Sequence, residues 1–191
     1  MTVYNYEING LTVQTGDLIC TSNTGGGIVL GQFWRFVGML IPGDLDHIAV
    51  YVGPRGRCVE AGARLRVIVF HVKNNIWDAN KMHRARGPLM DSFYGIAYPL
   101  AGRRIGRQKE IKIRESVARY CLKQAKAKKP YNLDFLNSKT EKAFYCSQLA
   151  YRAYLRNGIN LNSEEGIPKI PGTESIIFPQ EIWSGFRHKK P

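Results

Sequence analysis

The sequence has no long apolar run, few cysteines and few acidic residues, and each shortage narrows the class of protein. No stretch of the 191 residues approaches the roughly 20 consecutive apolar residues that a membrane-spanning helix needs, so we expect no integral membrane segment. The four cysteines are widely spaced and form no Cys-x-x-Cys pair: Cys20, Cys58, Cys121 and Cys146. We therefore expect neither a zinc site nor a disulfide scaffold, and no cofactor.

The N-terminal segment also lacks the features of a secretory signal. Residues 1–7 contain neither the basic region nor the apolar region of a signal peptide. A cytoplasmic location is the expectation, unless export uses another route. The length and the 44% hydrophobic content are those of one domain with a sizeable core, spanning residues 1–191.

The shortage of acidic residues leaves a strong positive charge, which is concentrated in one segment. The chain has 28 Lys and Arg against 15 Asp and Glu, for a formal net charge of +13. Residues 103–129 carry eleven of the basic residues and only two Glu. In this segment, one helical face is apolar and consists of Ile113, Val117, Tyr120, Cys121 and Ala125. The pattern predicts an amphipathic helix whose outer side is either simply solvated or contacts an anionic surface, such as nucleic acid, lipid headgroups or an acidic polymer.

Short apolar runs separated by turns predict strands in the first half of the chain. Residues 18–22 follow the turn Gly16-Asp17, and residues 47–53, 54–56 and 57–63 read as strand, turn and strand, with a third strand over 64–72. The glycine-rich residues 25–27 are not followed by Gly-Lys-Ser/Thr, so a phosphate-binding loop is not expected. Residues 28–41 form an apolar helical stripe that belongs either to the core or to a groove for an acyl chain.

Cys146 stands at the start of a predicted helix that Asn157-Gly158 ends. The positive end of the helix dipole favours thiolate over thiol, and thiolate is the nucleophilic form of cysteine. In such a position the pKa of a thiol falls from about 8.5 to between about 3.5 and about 7.5. The same residue could be an inert core cysteine, and a suitably placed base is what distinguishes the two interpretations.

The predicted hairpin supplies that base and an acid to orient it. His47 and Glu60 lie near the far ends of the two strands, where side chains can be neighbours across the pair. In this interpretation Cys146 attacks a carbonyl carbon, His47 takes the thiol proton and later protonates the leaving group, and Glu60 orients His47. The backbone N–H of Cys146 would contribute to an oxyanion hole. The product is a thioester, which either water or another nucleophile can resolve.

Five stretches of the sequence, taken together, resemble one family. The matching stretches are His47-Ile48-Ala49-Val50-Tyr51-Val52-Gly53, Val59-Glu60-Ala61, Tyr145-Cys146-Ser147-Gln148-Leu149, Gly16-Asp17-Leu18-Ile19 and Phe178-Pro179-Gln180-Glu181-Ile182-Trp183-Ser184. They resemble the circularly permuted NlpC-type cysteine peptidases of the YiiX-like group, in which the His precedes the Cys. The resemblance implies an α+β, papain-like fold in which a small antiparallel sheet or half-barrel packs against the helix that bears the Cys.

The resemblance also implies roles for single residues. It implies Cys146 as nucleophile, His47 as base and Glu60 as the third polar residue, and Tyr131 as a residue that shapes the pocket. Asp46 departs from the family pattern, in which a small polar residue often precedes the His. Its carboxylate could raise the pKa of His47, contact a cationic substrate group or compete with Glu60 for the orienting role.

Three functions follow from these features. The first is a cysteine hydrolase that cuts an amide bond, with cell-wall-type peptides as one substrate class that the resemblance implies. The second is a thiol acyltransferase or lipase-like enzyme that acts on acyl lipids, as in the similar lecithin:retinol acyltransferase group. The third is a non-enzymatic, basic protein that binds polyanions through residues 103–129, although the sequence has no nucleic-acid-binding motif.

Overall fold

A computed structural model describes residues 2–23 and 43–191. The fold of this part of the chain is mixed α+β with antiparallel sheets. Its strands are β1 (Asn5–Ile8), β2 (Leu11–Gln14), β3 (Leu18–Asn23), β4 (His47–Gly53), β5 (Arg57–Gly62), β6 (Arg66–His71), β7 (Asp91–Tyr98) and β8 (Arg187–Lys189). Its four helices are α1 (Ala79–Arg86), α2 (Arg107–Lys126), α3 (Cys146–Leu155) and α4 (Pro179–Gly185). The predicted apolar stripe over 28–41 lies outside the described residues.

The main sheet has six strands in the order β6-β5-β4-β3-β7-β8, and all of its neighbours are antiparallel. Antiparallel alternation brings the starts of β4 and β7 to the same end of the sheet as the ends of β3 and β5. The predicted hairpin is confirmed: β4 and β5 are joined by a turn in which Arg55 and Gly56 have φ of 60° and 68°. A Cβ on Gly56 would lie 2.0 Å from the carbonyl oxygen of Val72, so this position requires glycine.

Both faces of the sheet are covered, because alternate residues of its strands pack in opposite directions. One face packs against α2 and α3, with Ile48 and Val50 of β4 among the buried residues of this layer. The other face packs against the β1–β2 hairpin and α1, with Ala49 and Tyr51 of β4 in that layer. This double coverage explains why every residue of β4 is buried.

The predicted amphipathic helix is confirmed as α2. Its inner residues are buried, and these include the predicted face of Ile113, Val117, Tyr120, Cys121 and Ala125. A line of cations spaced three, four or seven residues apart is exposed on the other side: Lys109, Lys112, Arg119, Lys123 and Lys126. No helix among the described residues is both long enough and apolar enough to cross a membrane.

The segment 73–106 differs from its prediction. The sequence pattern of this segment predicts a strand over 95–100 and an irregular region around His83, whereas β7 covers Asp91–Tyr98 and His83 lies in α1. Helix α1 has no apolar periodicity, because the two buried residues of its inner face are Met82 and Arg86. A buried arginine does not register as part of an apolar stripe, so the helix was missed.

Candidate active site

Cys146 is the first residue of α3, where the sequence predicted it. The helix begins here because Tyr145 has extended backbone angles, and because the Gln148 side chain accepts the backbone N–H of Tyr145 at 3.1 Å. The thiol is only 6% exposed and lies 3.9 Å from the carbonyl oxygen of Asp46. The other three cysteines are completely buried, so Cys146 is the most accessible of the four thiols.

His47 starts β4 and contacts both the thiol and a carboxylate. Its Nε2 lies 2.9 Å from Oε2 of Glu60. This contact leaves Nδ1 as the ring nitrogen available to the Cys146 thiol. Glu60 and His47 are both buried, as expected for groups that sit at the end of a strand covered on two faces. The predicted proximity of His47 and Glu60 across the β4–β5 pair is confirmed.

The ionisation of these three groups is coupled. Burial by itself raises the pKa of the Cys146 thiol, but the charge and hydrogen bond of His47, with the backbone N–H groups of Ile48 and Ser147, bring that pKa below its ordinary value. Burial lowers the pKa of His47, but the thiolate of Cys146 and the carboxylate of Glu60 outweigh burial and raise it. These opposite shifts favour a thiolate–imidazolium pair.

Glu60 stays ionised because a buried arginine faces it. Burial alone raises the pKa of Glu60, but the charge of Arg86 and the contacts with His47 and Arg86 lower it to about 2. The Arg86 side chain is fully buried, and its Nη2 lies 2.9 Å from Oε2 of Glu60 and 2.8 Å from Oδ2 of Asp91. Thr21 completes the network by donating its hydroxyl to Asp91 Oδ2 at 2.6 Å.

The two residues predicted to bind substrate lie close to Cys146. Asp46 is half-buried and contacts the thiol through its carbonyl oxygen, whereas the carboxylate in contact with the His47 ring is that of Glu60. Tyr131 is held by a backbone hydrogen bond to Leu65. Burial raises the pKa of Tyr131, and the nearby charge of Cys146 raises it further. Both residues therefore lie near the Cys146 thiol.

Sequence reasoning missed Arg86 and Asp91, which belong to the charged network of the site. Neither lies in a recognisable motif, and the only local signal is that Met82 and Arg86 share one face of α1 at a spacing of four residues. Metal ligation finds no support: in residues 2–23 and 43–191, no three His, Cys, Asp or Glu side chains are grouped so that they could hold a metal ion.

Comparison with known proteins found no matching family model, no matching curated protein and no matching solved structure. The arrangement of Cys146, His47 and Glu60 is therefore the basis on which a function can be proposed.

Proposed function

We propose that the chain is a cysteine hydrolase of the peptidase or amidase type, with the permuted papain-like arrangement that its sequence resembles. The observation that supports this most directly is the chain of contacts from the thiol at the start of α3 through His47 to the buried carboxylate of Glu60. A thiol with a lowered pKa, a base within reach and a third group that orients the base are the parts that nucleophilic catalysis by cysteine requires.

The proposed reaction has two halves. The Cys146 thiolate attacks the carbonyl carbon of an amide, and the developing oxyanion accepts the backbone N–H of Cys146, which has no partner within the first turn of α3. The His47 imidazolium then gives its proton to the leaving amine, and a thioester on Cys146 remains. In the second half, His47 takes a proton from water, the hydroxide attacks the thioester, and the acid product leaves. If an alcohol or amine replaces water, the same site performs acyl transfer.

The experiment is covalent labelling read by intact mass. The protein is incubated with a panel of thiol-directed acyl probes, half of them peptide-like and half lipid-like. We expect one adduct per chain, and we expect it to be lost in Cys146→Ala and His47→Ala. The matched control is Cys121→Ala, which removes a buried thiol from α2 and should leave labelling unchanged.

The pattern of labelling also separates the enzymatic alternatives. Faster labelling by the peptide-like probes favours the hydrolase, with cell-wall-type peptides as one substrate class to test. Faster labelling by the lipid-like probes favours an acyltransferase or lipase-like activity. If Cys146 reacts no faster than Cys20, Cys58 or Cys121 with any probe, the proposal of an activated nucleophile is wrong.

The exposed cations of α2 favour polyanion binding as a second candidate function. Lys109 and Lys126 mark the ends of the line, and at about 1.5 Å per residue they are about 25 Å apart along the helix axis. At the start of the same helix, a groove of about 750 Å³ includes Arg103, Arg187 and Lys189 in its lining. The lining of that groove also includes acidic side chains, so the line of exposed cations along α2 is the surface on which the charges of an extended polyanion could be neutralised.

A salt titration tests this second candidate. If the five cations of the line contact phosphates of duplex DNA, log K should fall with log salt concentration with a slope of about −4 to −5. Replacing Lys112 and Lys123 by Gln should make that slope shallower by about 2, whereas replacing the exposed Lys73 and Lys139 should not. Binding that survives Cys146→Ala would separate it from the chemistry at the thiol. A slope near zero would contradict a role for α2 in binding polyanions.

A further inference from the structure

Arg86 is fully buried, and its guanidinium contacts the carboxylates of Glu60 and Asp91. Its Nε lies 3.1 and 3.0 Å from the two carboxylate oxygens of Glu60, and its Nη2 lies 2.9 Å from Oε2. On the other side, Nη1 and Nη2 lie 2.7 and 2.8 Å from the two oxygens of Asp91. The planar guanidinium thus binds one carboxylate along each of two edges, a geometry that lysine cannot reproduce.

The plane of the guanidinium is fixed by aromatic rings as well. The Cζ atom lies 4.6 Å from the ring centroid of Trp77 and 4.9 Å from that of Phe70. Trp77 is held in turn, because its Nε1–H donates to the backbone carbonyl of Asp91 at 3.2 Å. The position of Arg86 is therefore determined from α1, β5, β6 and β7 together.

We propose that Arg86 is a positioning residue of the candidate active site, which holds Glu60 ionised and in place so that Glu60 orients His47 towards Cys146. This inference rests on the proposed function to the extent that it takes Cys146 as the nucleophile. Arg86 itself touches neither the thiol nor the space in front of it, and it acts through Oε2 of Glu60, which both Arg86 and His47 contact.

The argument starts from the cost of burying charge. An ionised carboxylate without a cation is strongly disfavoured in the interior, and two carboxylates close together cannot both stay ionised. If Arg86 became apolar, Glu60 would keep the imidazolium of His47 but lose the cation that contacts both of its oxygens, and its pKa would rise. A Glu60 that has lost part of its charge stabilises the imidazolium of His47 less, and the thiolate of Cys146 then forms only at higher pH.

The other titratable and charged groups around this cluster do not replace Arg86. Cys58 of β5 is close to Glu60 and Arg86, but burial raises its pKa and keeps it neutral. Arg64 is exposed and donates its hydrogen bonds to the backbone carbonyls of Arg84 and Ala85 at the end of α1. Neither group supplies a buried positive charge to Glu60.

The test is the pH dependence of Cys146 alkylation by iodoacetamide, measured by intact mass alongside urea unfolding. In Arg86→Met we expect the midpoint of the alkylation profile to rise by about one pH unit or more, which is a tenfold loss of thiolate below the midpoint. In Arg86→Lys, which keeps the charge but loses the two-edged binding, we expect a smaller rise. The lysine variant also decides the question if the methionine variant does not fold.

Arg114→Met is the matched control. Arg114 is likewise a buried arginine in an ion pair, 2.8 Å from Asp17, but it belongs to α2 and pairs at the start of β3, away from the end that bears His47. We expect it to lower the free energy of unfolding without moving the alkylation midpoint. The inference is overturned if both Arg86 variants keep the midpoint of the unmodified protein, or if Arg114→Met moves it as far.

Failure of this inference can be told apart from failure of the proposed function. If the unmodified protein already alkylates with the midpoint of an ordinary thiol, about 8.5, the activated nucleophile itself is wrong. If the midpoint is low in the unmodified protein and stays low in both Arg86 variants, only the role of Arg86 is wrong.

Discussion

At the scale of single residues, the candidate site depends on the balance between burial and charge. Burial alone would keep Cys146 as a thiol and His47 as neutral imidazole, because each charged form loses its hydration. The two shifts reverse because each residue supplies the counter-charge of the other, and because Glu60 adds a second anion beside His47. Replacing one of these residues should therefore move the pKa of its neighbour in the direction that burial favours, towards the neutral form.

His47→Ala should accordingly raise the pKa of Cys146 above its ordinary value, rather than only returning it to that value. The thiol keeps its buried surroundings but loses the cation that offsets them. Alkylation rates of Cys146 measured from about pH 5 to about pH 9 should shift to higher pH. The exposed His83 provides a control, since His83→Ala should leave the profile unchanged. A profile in His47→Ala that matches the unmodified protein would contradict the coupling.

The sequence was sufficient to predict that Cys146 begins a helix and that His47 and Glu60 lie side by side, because each placement follows from a local pattern: a helix start and two paired strands. It could not predict Arg86. A buried arginine is recognised only by the carboxylates around it, and Glu60 and Asp91 are 26 and 5 positions away from it in the chain. The same is true of Thr21, which reaches Asp91 across the β3–β7 pair.

At the scale of elements, the start of α3 is fixed by one side chain. Oε1 of Gln148 accepts the N–H of Tyr145 and an amide N–H of Asn132, and Nε2 donates to the carbonyls of Asn137 and Thr140. Gln148 therefore connects the helix that begins at Cys146 to the preceding loop over 132–140. The four contacts satisfy both polar ends of the buried Gln148 side chain.

Gln148→Glu should keep the two hydrogen bonds that this side chain accepts and lose the two that it donates. A carboxylate can still accept from Tyr145 and Asn132, but the oxygen that replaces Nε2 is an acceptor and faces the carbonyl oxygens of Asn137 and Thr140. We expect a loss of about 2 kcal/mol in the free energy of unfolding, with earlier proteolytic cleavage within 132–140. Lowering the pH should partly restore stability, because a protonated carboxyl can donate. Gln108→Glu, on the exposed side of α2, should have neither effect.

Glu181 fixes the start of α4 in a related way, but it is a titratable group. Its buried carboxylate accepts the N–H of Phe178 at 2.7 Å and that of Glu164 at 2.9 Å. Burial is the largest effect on its pKa and outweighs these hydrogen bonds, so the pKa rises from 4.5 to about 7. The folded state therefore holds this proton more tightly than the unfolded state, and the carboxyl destabilises the fold as it ionises.

The stability of the unmodified protein relative to Glu181→Gln should fall as pH rises from 4.5 to about 7. The fall should reach up to about 3 kcal/mol, because one pKa unit corresponds to about 1.4 kcal/mol. The glutamine amide has one hydrogen-bond acceptor fewer than the carboxylate. This difference changes the free energy of unfolding of the variant by an amount that does not depend on pH. Urea unfolding of both proteins across this range provides the measurement. A difference that stays constant, or grows in favour of the unmodified protein as pH rises, would contradict the raised pKa.

Elements whose apolar residues recur at a regular spacing could be predicted from the sequence. Elements whose buried residues are charged, and depend on oppositely charged residues elsewhere in the chain, could not. The apolar face of α2 and the hairpin β4–β5 follow from spacing alone. Helix α1 and the first half of β7 do not, since the inner side chains there include Arg86 and Asp91, which are buried only because they neutralise each other. The finer prediction, a permuted papain-like fold over a single domain of residues 1–191, stays a prediction.

At the scale of the whole molecule, the positive charge is the dominant feature. Several of the acidic groups are already in ion pairs within the fold, among them Asp17, Glu60 and Asp91. The excess cations therefore lie on the surface, where they repel one another and oppose the compact state. This repulsion should be strongest along α2, where the exposed cations are only three, four or seven positions apart.

Added NaCl should therefore increase the free energy of unfolding, since it screens repulsion between exposed charges. The increase should be smaller in a variant with four cations of the line replaced by Gln: Lys109, Lys112, Lys123 and Lys126. A control variant carries the same change of charge at dispersed exposed positions: Arg55, Lys73, Lys139 and Lys169. Equal salt dependence in the two variants would show that the clustering on α2 has no energetic consequence.

The contact between the Cys146 thiol and the carbonyl oxygen of Asp46 joins residues that are 100 positions apart. A chain still emerging from the ribosome cannot make this contact until Cys146 has emerged, and closing a loop of this length costs more conformational entropy than closing a local one. Until then the cysteine is an ordinary thiol in an unstructured polymer. If Cys146 is the activated thiol that we propose, its reactivity should appear only once this long-range contact has formed, so alkylation of Cys146 should report on the completion of folding.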